Sequence, residues 1–503
     1  MSRTIVAFGS ESGNAKRLAG MLAKRLQQNN PISEPISLNQ VDCSALTDND
    51  LLLIITSSFG DGEPPANAEG FLDQLPVSCS FRFAVFGLGD VSYPNFCGYS
   101  KHIDRKMIEL GAQPVAKRVD ADIYYNTYFD QWSNAIEHYL DGDPEPAQNL
   151  ELQVAAYGDS SPYEAKITCH ERISADVLNV ELDIKGSGIH YAPGDLVYIY
   201  PQNDPELLDG LSVWFGADAN ELADKDLRNI SKHTLKFIAT VTSDEDLKEL
   251  LKFKNRAALQ EYTYGKDILD FLEDRDPEKR IIFDQLVTAL PAITPRAYSI
   301  ASAVPDKLRL CMREVSYVYG GRRHRGISSG FMGMRSVGEL IKIAVRPNPE
   351  FTFDQNKPAV MIGTGVGLAP FISYLEQISI DTDTRTNILI FGERYSKADF
   401  LYQDFLMSCQ AVGVLDNLFT AFSRDQDQKV YVQDVMHRQA AEIYDAIQAE
   451  AVIYVCGNKA HLGNAVNDAL MKVLMNAGSM TETQAIDMLK DMEISGRIRR
   501  DLF

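Results

Sequence analysis

No two cysteines in this chain are spaced C-x-x-C. The seven present are scattered over 503 residues, an odd and unpatterned set. That speaks against a zinc knuckle or a disulfide framework and fits reduced thiols in a cytoplasm; no metal site is expected. No run reaches ~18 apolar residues, so no membrane-spanning helix is expected. The first apolar run, Ile5–Phe8, is far too short for a signal peptide. A cytoplasmic protein without a membrane partner is the expectation. Positive charge is also scarce: 49 Lys and Arg against 70 Asp and Glu leave a net charge of −21. Phosphate backbones would be repelled, which argues against DNA or RNA as a partner. Such a charge favours steering toward a basic partner surface, and plain solubility explains it equally well. The Walker pattern G-x-x-x-x-G-K is missing, and so is any repeat of fixed period.

What is present is ordered along the chain. The length allows roughly three domains at ~150 residues each. Residues 1–140 alternate apolar runs with helical stretches. Ile5–Phe8, Leu51–Thr56 and Phe83–Gly87 read as buried parallel strands, each ending in a Gly/Ser-rich loop. This is a doubly wound α/β sheet, which takes ligands at the carboxyl ends of its strands. A Pro- and acid-rich stretch at 141–162 reads as a flexible linker. Residues 163–354 turn to strands and predict an antiparallel β-barrel, interrupted at about 203–285 by a helical insertion. From 355 to 503 the βαβ alternation returns, with strands at Val360–Gly363, Asn387–Phe391 and Val452–Cys456.

Three loops in the first part can carry a ligand. Ser10, Glu11, Ser12, Gly13, Asn14 and Ala15 follow a strand and open a helix. Hydroxyls, a glycine and free helix N-terminal amides there make a cradle for one phosphate. The loop from Thr56 to Gly62 carries Phe59 and the loop from Gly87 to Phe96 carries Tyr93. Two aromatics so placed can sandwich a flat ring. Each loop alone is more often a plain turn; three in order at strand ends are more specific. Together they resemble flavodoxin over residues 3–140. The resemblance implies FMN, its phosphate on Ser10–Ala15. It implies ring contacts from Ser57, Ser58, Phe59, Gly60, Leu88, Gly89, Tyr93, Asn95, Phe96 and Asp120.

A second constellation begins at Arg296-Ala297-Tyr298-Ser299. In a strand, Arg296 and Tyr298 share one face, a cation for a pyrophosphate and a ring for a heterocycle. Ser299 points to the other side, toward the reactive edge of that ring. A half-buried strand with an incidental arginine would read the same way. Gly326-Ile327-Ser328-Ser329 opens a helix and can hold a pyrophosphate, or is a simple cap. Gly363-Thr364-Gly365-Val366 follows a strand and opens another helix, where glycines admit a pyrophosphate. Ser423, Arg424, Lys429 and Tyr431, with Gln433 beyond, suit a dianionic ribose 2′-phosphate; an NAD site would prefer an acid there.

These segments resemble the motifs R-x-Y-S, G-x-x-[ST] and S-R-x(4)-K-x-Y of the ferredoxin-reductase-like family. Taken with the flavodoxin part, the whole chain resembles a diflavin reductase. The resemblance implies FAD on Arg296–Ser299, Gly326–Ser329 and Phe503, the last stacked over the ring. It implies NADPH on Gly363–Val366, Arg394, Ser423, Arg424, Lys429, Tyr431 and Gln433. Ser299, Cys456 and Asp501 would assist hydride transfer. The chain departs from the family's G-P-G-T-G at Thr364 and Val366, which removes one hydroxyl near the nicotinamide. Within the family it looks most similar to the flavoprotein subunit of assimilatory NADPH-sulfite reductase. That implies electron flow from NADPH through FAD and FMN to a sirohaem/iron–sulfur subunit that makes sulfide. Such subunits usually carry an additional N-terminal oligomerisation segment, whereas this sequence opens at the flavodoxin strand. A haem, iron–sulfur or cobalamin partner of another kind, or a non-catalytic flavin sensor, are the alternatives.

Overall fold

The computed structural model describes residues 3–11, 13–27, 32, 34–58, 62–89, 95–121, 125–150, 162–381 and 385–503. The chain forms two compact units. One combines Met1–Ser161 with Pro205–Thr294; the other combines Pro162–Asp204 with Pro295–Phe503.

The first unit is built on a parallel sheet. Strand Thr4–Gly9 lies between Ile36–Ser37 and Leu51–Ser57, followed by Arg82–Leu88. Two short pieces, Gln113–Pro114 and Val119–Ala121, both pair with Arg82–Leu88 and close that edge. The central strands are continuous apolar runs because helices cover both faces of the sheet. Leu51 to Ile55 are all fully buried. The side chains of Leu53 and Ile55 enter one core with Phe86, Phe129 and Trp132, and those of Leu52 and Ile54 enter the other with Phe71 and Phe81. Helix Asn14–Leu26 buries Ala15, Leu18, Ala19 and Leu22 on one stripe and ends with Lys24 and Arg25, whose charge suits its C-terminus.

Two features differ from the reading of the sequence. The expected linker at 141–162 starts with packed structure: Glu145–Gln148 is a helical turn, capped by Pro144 and with Pro146 inside its first turn, and Ala147 is buried in the sheet's core. The helical insertion runs from Pro205–Phe215 to Phe283–Ala289 around its own core of Leu211, Leu235, Ile238 and Phe271. It is compact with the flavodoxin-like part, held there in part by ion pairs Arg256–Glu11 and Lys232–Glu63.

The second unit holds two sheets. One is antiparallel, in the order Arg296–Ser299, Leu196–Ile199, Leu340–Arg346, Tyr163–Arg172, Val177–Asp183, Lys307–Arg313. Its two ends are linked by the single bridge Ile300–Leu310, so it is a curled sheet joined at one point, without a closing ladder among the described residues. The other sheet is parallel, in the order Asn417–Phe422, Asn387–Glu393, Ala359–Thr364, Val452–Gly457, Ile498–Leu502. Apolar cores lie on both of its faces. No helix among the described residues is long and apolar enough to cross a membrane.

Candidate functional site

In the first unit the segment expected to cradle a phosphate lies between strand Thr4–Gly9 and helix Asn14–Leu26. Gly13 caps helix Asn14–Leu26 at φ +91°, in the left-handed region that glycine occupies without a steric penalty. A Cβ there would meet nothing within 4 Å, so the helix N-terminus faces open space. The Gly13 amide donates to Ser10 Oγ at 3.0 Å, and the Ser10 amide donates to Asn67 Oδ1 at 2.8 Å. The Glu11 carboxylate faces away from the cradle, accepting from the Ala66 amide at 3.1 Å and pairing with Arg256. Those two partners hold its pKa below the usual range, although burial works the other way.

The neighbouring strand ends are braced against each other. The Ser58 amide donates to the Leu88 carbonyl at 3.0 Å, and Ser58 Oγ accepts from the Tyr99 amide at 3.1 Å. Ser57 Oγ donates to the Gly9 carbonyl at 3.4 Å. The Gly89 amide donates to Ala121 at 2.9 Å, and a Cβ on Gly89 would lie 2.8 Å from both Phe96 and Cys97. Asn95 is exposed and Phe96 half-buried. Asp120 is held by Arg118 and Ser100, at 2.9 and 3.1 Å, so its carboxylate is already engaged. Ser12, Phe59, Gly60 and Tyr93 lie outside the described residues.

The second unit brings together residues far apart in sequence. Strand Ile498–Leu502 adds to the parallel sheet so that Asp501 stands opposite Cys456. Ser299 Oγ donates to Asp501 Oδ2 at 2.7 Å, and the Cys456 thiol approaches the same oxygen at 3.8 Å. Burial pushes the Asp501 carboxyl up, against the lowering effect of those two donors. Burial, and then the Asp501 charge, pushes the Cys456 thiol well above its ordinary value. The thiol therefore stays protonated at neutral pH, a weak donor rather than a nucleophile. Phe503, largely exposed at 59%, follows directly, its amide bonded to the Gly457 carbonyl at 3.1 Å.

The flavin motifs flank this cluster. Arg296 and Tyr298 alternate with Ala297 and Ser299 along a strand paired with Leu196–Ile199. Ser328, at the start of helix Ile327–Gly333, is buried, with its hydroxyl in hydrogen-bonding range of the Tyr298 phenol. Ser329 Oγ is occupied by the Val315 amide at 3.1 Å, and a Cβ on Gly326 would come 2.6 Å from it.

The glycine loop leaves strand Ala359–Thr364 at Gly365, φ +56°, and turns into helix Ala369–Asp381. A Cβ on Gly367 would lie 2.3 Å from the Cys456 carbonyl oxygen, so the loop sits directly on the end of the Cys456 strand. Val366 is half-buried against the adjoining core. Two strands further out, past the end of Asn417–Phe422, Ser423 and Arg424 donate their amides to the carbonyls of Glu393 and Arg394, at 2.9 and 2.8 Å. The Arg424, Lys429 and Tyr431 side chains are exposed, Gln433 is half-buried, and among the described residues Arg424 and Lys429 have no carboxylate partner. Unpaired cations at a strand end are what a phosphate dianion needs. Arg394 is different: it is tied to Asp176, Glu393 and Asp399. The sequence reading missed Asp176 and Arg313, which join this cluster; neither lies in a recognisable motif.

Comparison with known proteins agrees with this layout. The Flavodoxin family model matches residues 6–132, and the Oxidoreductase NAD-binding domain model matches residues 361–467. The sulfite reductase (NADPH) flavoprotein alpha-component of Bacillus subtilis is 30% identical, over 99% of this chain and 89% of the relative. The protein of the same name from Yersinia enterocolitica is 32% identical, over 98% and 88%. That from Sodalis glossinidius is 34% identical, over 98% and 89%. With near-complete coverage on both sides, and with the Ser299–Cys456–Asp501 cluster set against the glycine loop, the chain belongs to the family of NADPH-sulfite reductase flavoprotein alpha-components.

Proposed function

We infer that this protein is an NADPH-dependent diflavin reductase that delivers electrons to a sirohaem-containing sulfite reductase subunit. The observation that carries the reading is the convergence of Ser299, Cys456 and Asp501 beside the Gly363–Gly367 loop. Bound FAD would supply hydride acceptance and bound FMN one-electron transfer to the acceptor; that chemistry belongs to the cofactors.

The chain's residues supply position and charge. Arg424, Lys429 and the Ser423 hydroxyl would hold the 2′-phosphate, selecting NADPH over NADH. The Gly363–Val366 backbone would admit the nicotinamide end against Cys456. Asp501, held by Ser299 and Cys456, would set one carboxylate at the reacting edge and stabilise the positive charge that develops as hydride leaves. Arg296 and Tyr298 would hold the FAD pyrophosphate and ring, with the buried Ser328 hydroxyl beside Tyr298. In the first unit the amides of the Gly13 loop would hold the FMN phosphate.

The acceptor is taken from the names of the relatives, which call them components of sulfite reductase. The test is sulfide formation from sulfite and NADPH by the flavin-loaded protein mixed with the sirohaem subunit of the same organism. Steady sulfide production supports the reading. Rapid cytochrome c reduction without sulfide would retain the reductase and remove the proposed acceptor. Negligible turnover with either acceptor would overturn both.

A further inference from the structure

Four charged side chains of the second unit close a ring that none of the motifs contains. Arg313 Nη1 donates to Asp176 Oδ1 at 2.6 Å, and Arg313 Nη2 donates to Glu393 Oε2 at 2.5 Å. Arg394 completes it from the other side, with Nη2 on Asp176 Oδ1 at 2.9 Å and Nε on Glu393 Oε1 at 3.2 Å. Two arginines thus share the same two carboxylates. Asp176 and Arg313 come from the antiparallel sheet's side of the unit, the loop before Val177–Asp183 and the end of Lys307–Arg313. Glu393 and Arg394 come from the end of a strand of the parallel sheet.

The ring's position suggests a purpose. On one side is the glycine loop: a Cβ on Gly365 would be 3.3 Å from Arg313 Nη2 and 3.1 Å from Glu393 Oε2. On the other is the phosphate-selecting segment, whose Ser423 and Arg424 amides bond to the Glu393 and Arg394 carbonyls. A dinucleotide with its 2′-phosphate at Arg424 and its nicotinamide at the glycine loop must carry its pyrophosphate past this ring. Gly365 has no side chain to shield the Arg313 guanidinium. Arg313 is 29% exposed, and Asp176 and Glu393 are its partners among the described residues. A guanidinium has five N–H donors, so these two bonds leave others for an incoming anion.

The geometry points to Arg313 as a pyrophosphate-binding residue for the nicotinamide dinucleotide, held ready by Asp176 and Glu393 and supplied from outside the nucleotide-binding sheet. This rests on the NADPH reading of the Ser423–Tyr431 segment. The two carboxylates keep the guanidinium in place and neutralised while the site is empty. A pyrophosphate, with a charge on each phosphate, then competes for its remaining donors. Because NADPH and NADH share the pyrophosphate, Arg313 adds affinity for both, whereas Arg424 distinguishes them.

The test separates the two contacts by ligand. Binding of NADP⁺ and of adenosine 2′-monophosphate, which lacks the pyrophosphate, is measured by titration calorimetry on the flavin-loaded full chain. Arg313→Ala should weaken NADP⁺ by about tenfold or more, the worth of one charge-assisted hydrogen bond, and leave the monophosphate unchanged. Arg313→Lys should recover part of the NADP⁺ affinity, and it serves as the readout if the alanine variant does not fold. Equal weakening of both ligands would make the ring a structural brace and overturn the inference; so would no change in either. Arg424→Ala should weaken both ligands. If it spares the monophosphate, the 2′-phosphate reading fails independently of the Arg313 result.

Discussion

The Ser299 hydroxyl donates to the Asp501 carboxylate at 2.7 Å across 202 residues of chain. The bond joins a strand of the antiparallel sheet to the edge strand of the parallel one. A short bond between a flavin motif and an edge-strand acid fixes where the acid's charge stands.

Asp501→Asn keeps the shape and removes the charge. The rate of flavin reduction by NADPH should fall on the order of a hundredfold, as for loss of a preorganised transition-state contact. The nucleotide's binding constant should change little. Stopped-flow absorbance at increasing NADPH separates the two, and a loss confined to binding would remove Asp501 from the chemistry.

The pH dependence follows from burial. The Asp501 carboxyl is raised above its ordinary 3.8, so reduction that needs the carboxylate should decline, as pH falls, at a pH above that value. The decline should vanish in Asp501→Asn. Stability carries the opposite trend. The folded protein holds this proton more tightly than the unfolded chain, so the group's stabilising contribution is complete below 3.8 and is lost as pH rises through the raised value. Melting curves of the wild type and of Asp501→Asn, whose amide resembles the protonated acid, should run together at low pH and separate as pH rises through the raised value.

Changing Ser423 and Arg424 together to Ala should raise the Michaelis constant for NADPH roughly 10- to 100-fold, as expected for one or two charge-assisted contacts. The constant for NADH should move little. Equal losses with both nucleotides would contradict a 2′-phosphate site.

Gly367→Ala tests the contact between the glycine loop and Cys456. A Cβ 2.3 Å from the Cys456 carbonyl cannot be accommodated without moving one backbone away from the other. Flavin reduction should drop at least tenfold, because a small misplacement of reacting groups is costly. FMN content should be normal, since the loop belongs to the other unit.

The strands legible from the sequence include those buried on both faces and also half-buried ones such as Tyr163–Arg172 and Arg296–Ser299. Leu51–Ser57 and Asn387–Glu393 are continuous apolar runs, and such runs identify themselves without tertiary information. The last strand was not legible. Ile498–Leu502 carries Arg499, Arg500 and Asp501, a pattern equally suited to a frayed end, and becomes a strand only by pairing with Val452–Gly457. The motif glycines of the candidate site were visible because turns and close approaches restrict residue type. The Asp176–Arg313–Glu393–Arg394 ring was not, because the two halves are separated in sequence and no local pattern marks a long-range ion pair. The compact association of the helical insertion with the flavodoxin-like part was hidden for the same reason: Glu11 and Arg256 lie 245 positions apart.

That insertion also alters how the chain is stitched. Strands Leu196–Ile199 and Arg296–Ser299 are direct neighbours in the sheet, yet the chain between them departs to the other unit and returns. The backbone therefore crosses from one unit to the other three times, near residues 161, 204 and 294. A single protease cut at any one crossing leaves two covalent connections intact, so neither unit can be released by one nick. The first unit as a whole is therefore not one contiguous stretch of gene, since about a third of its residues, Pro205–Thr294, are encoded between two segments of the second.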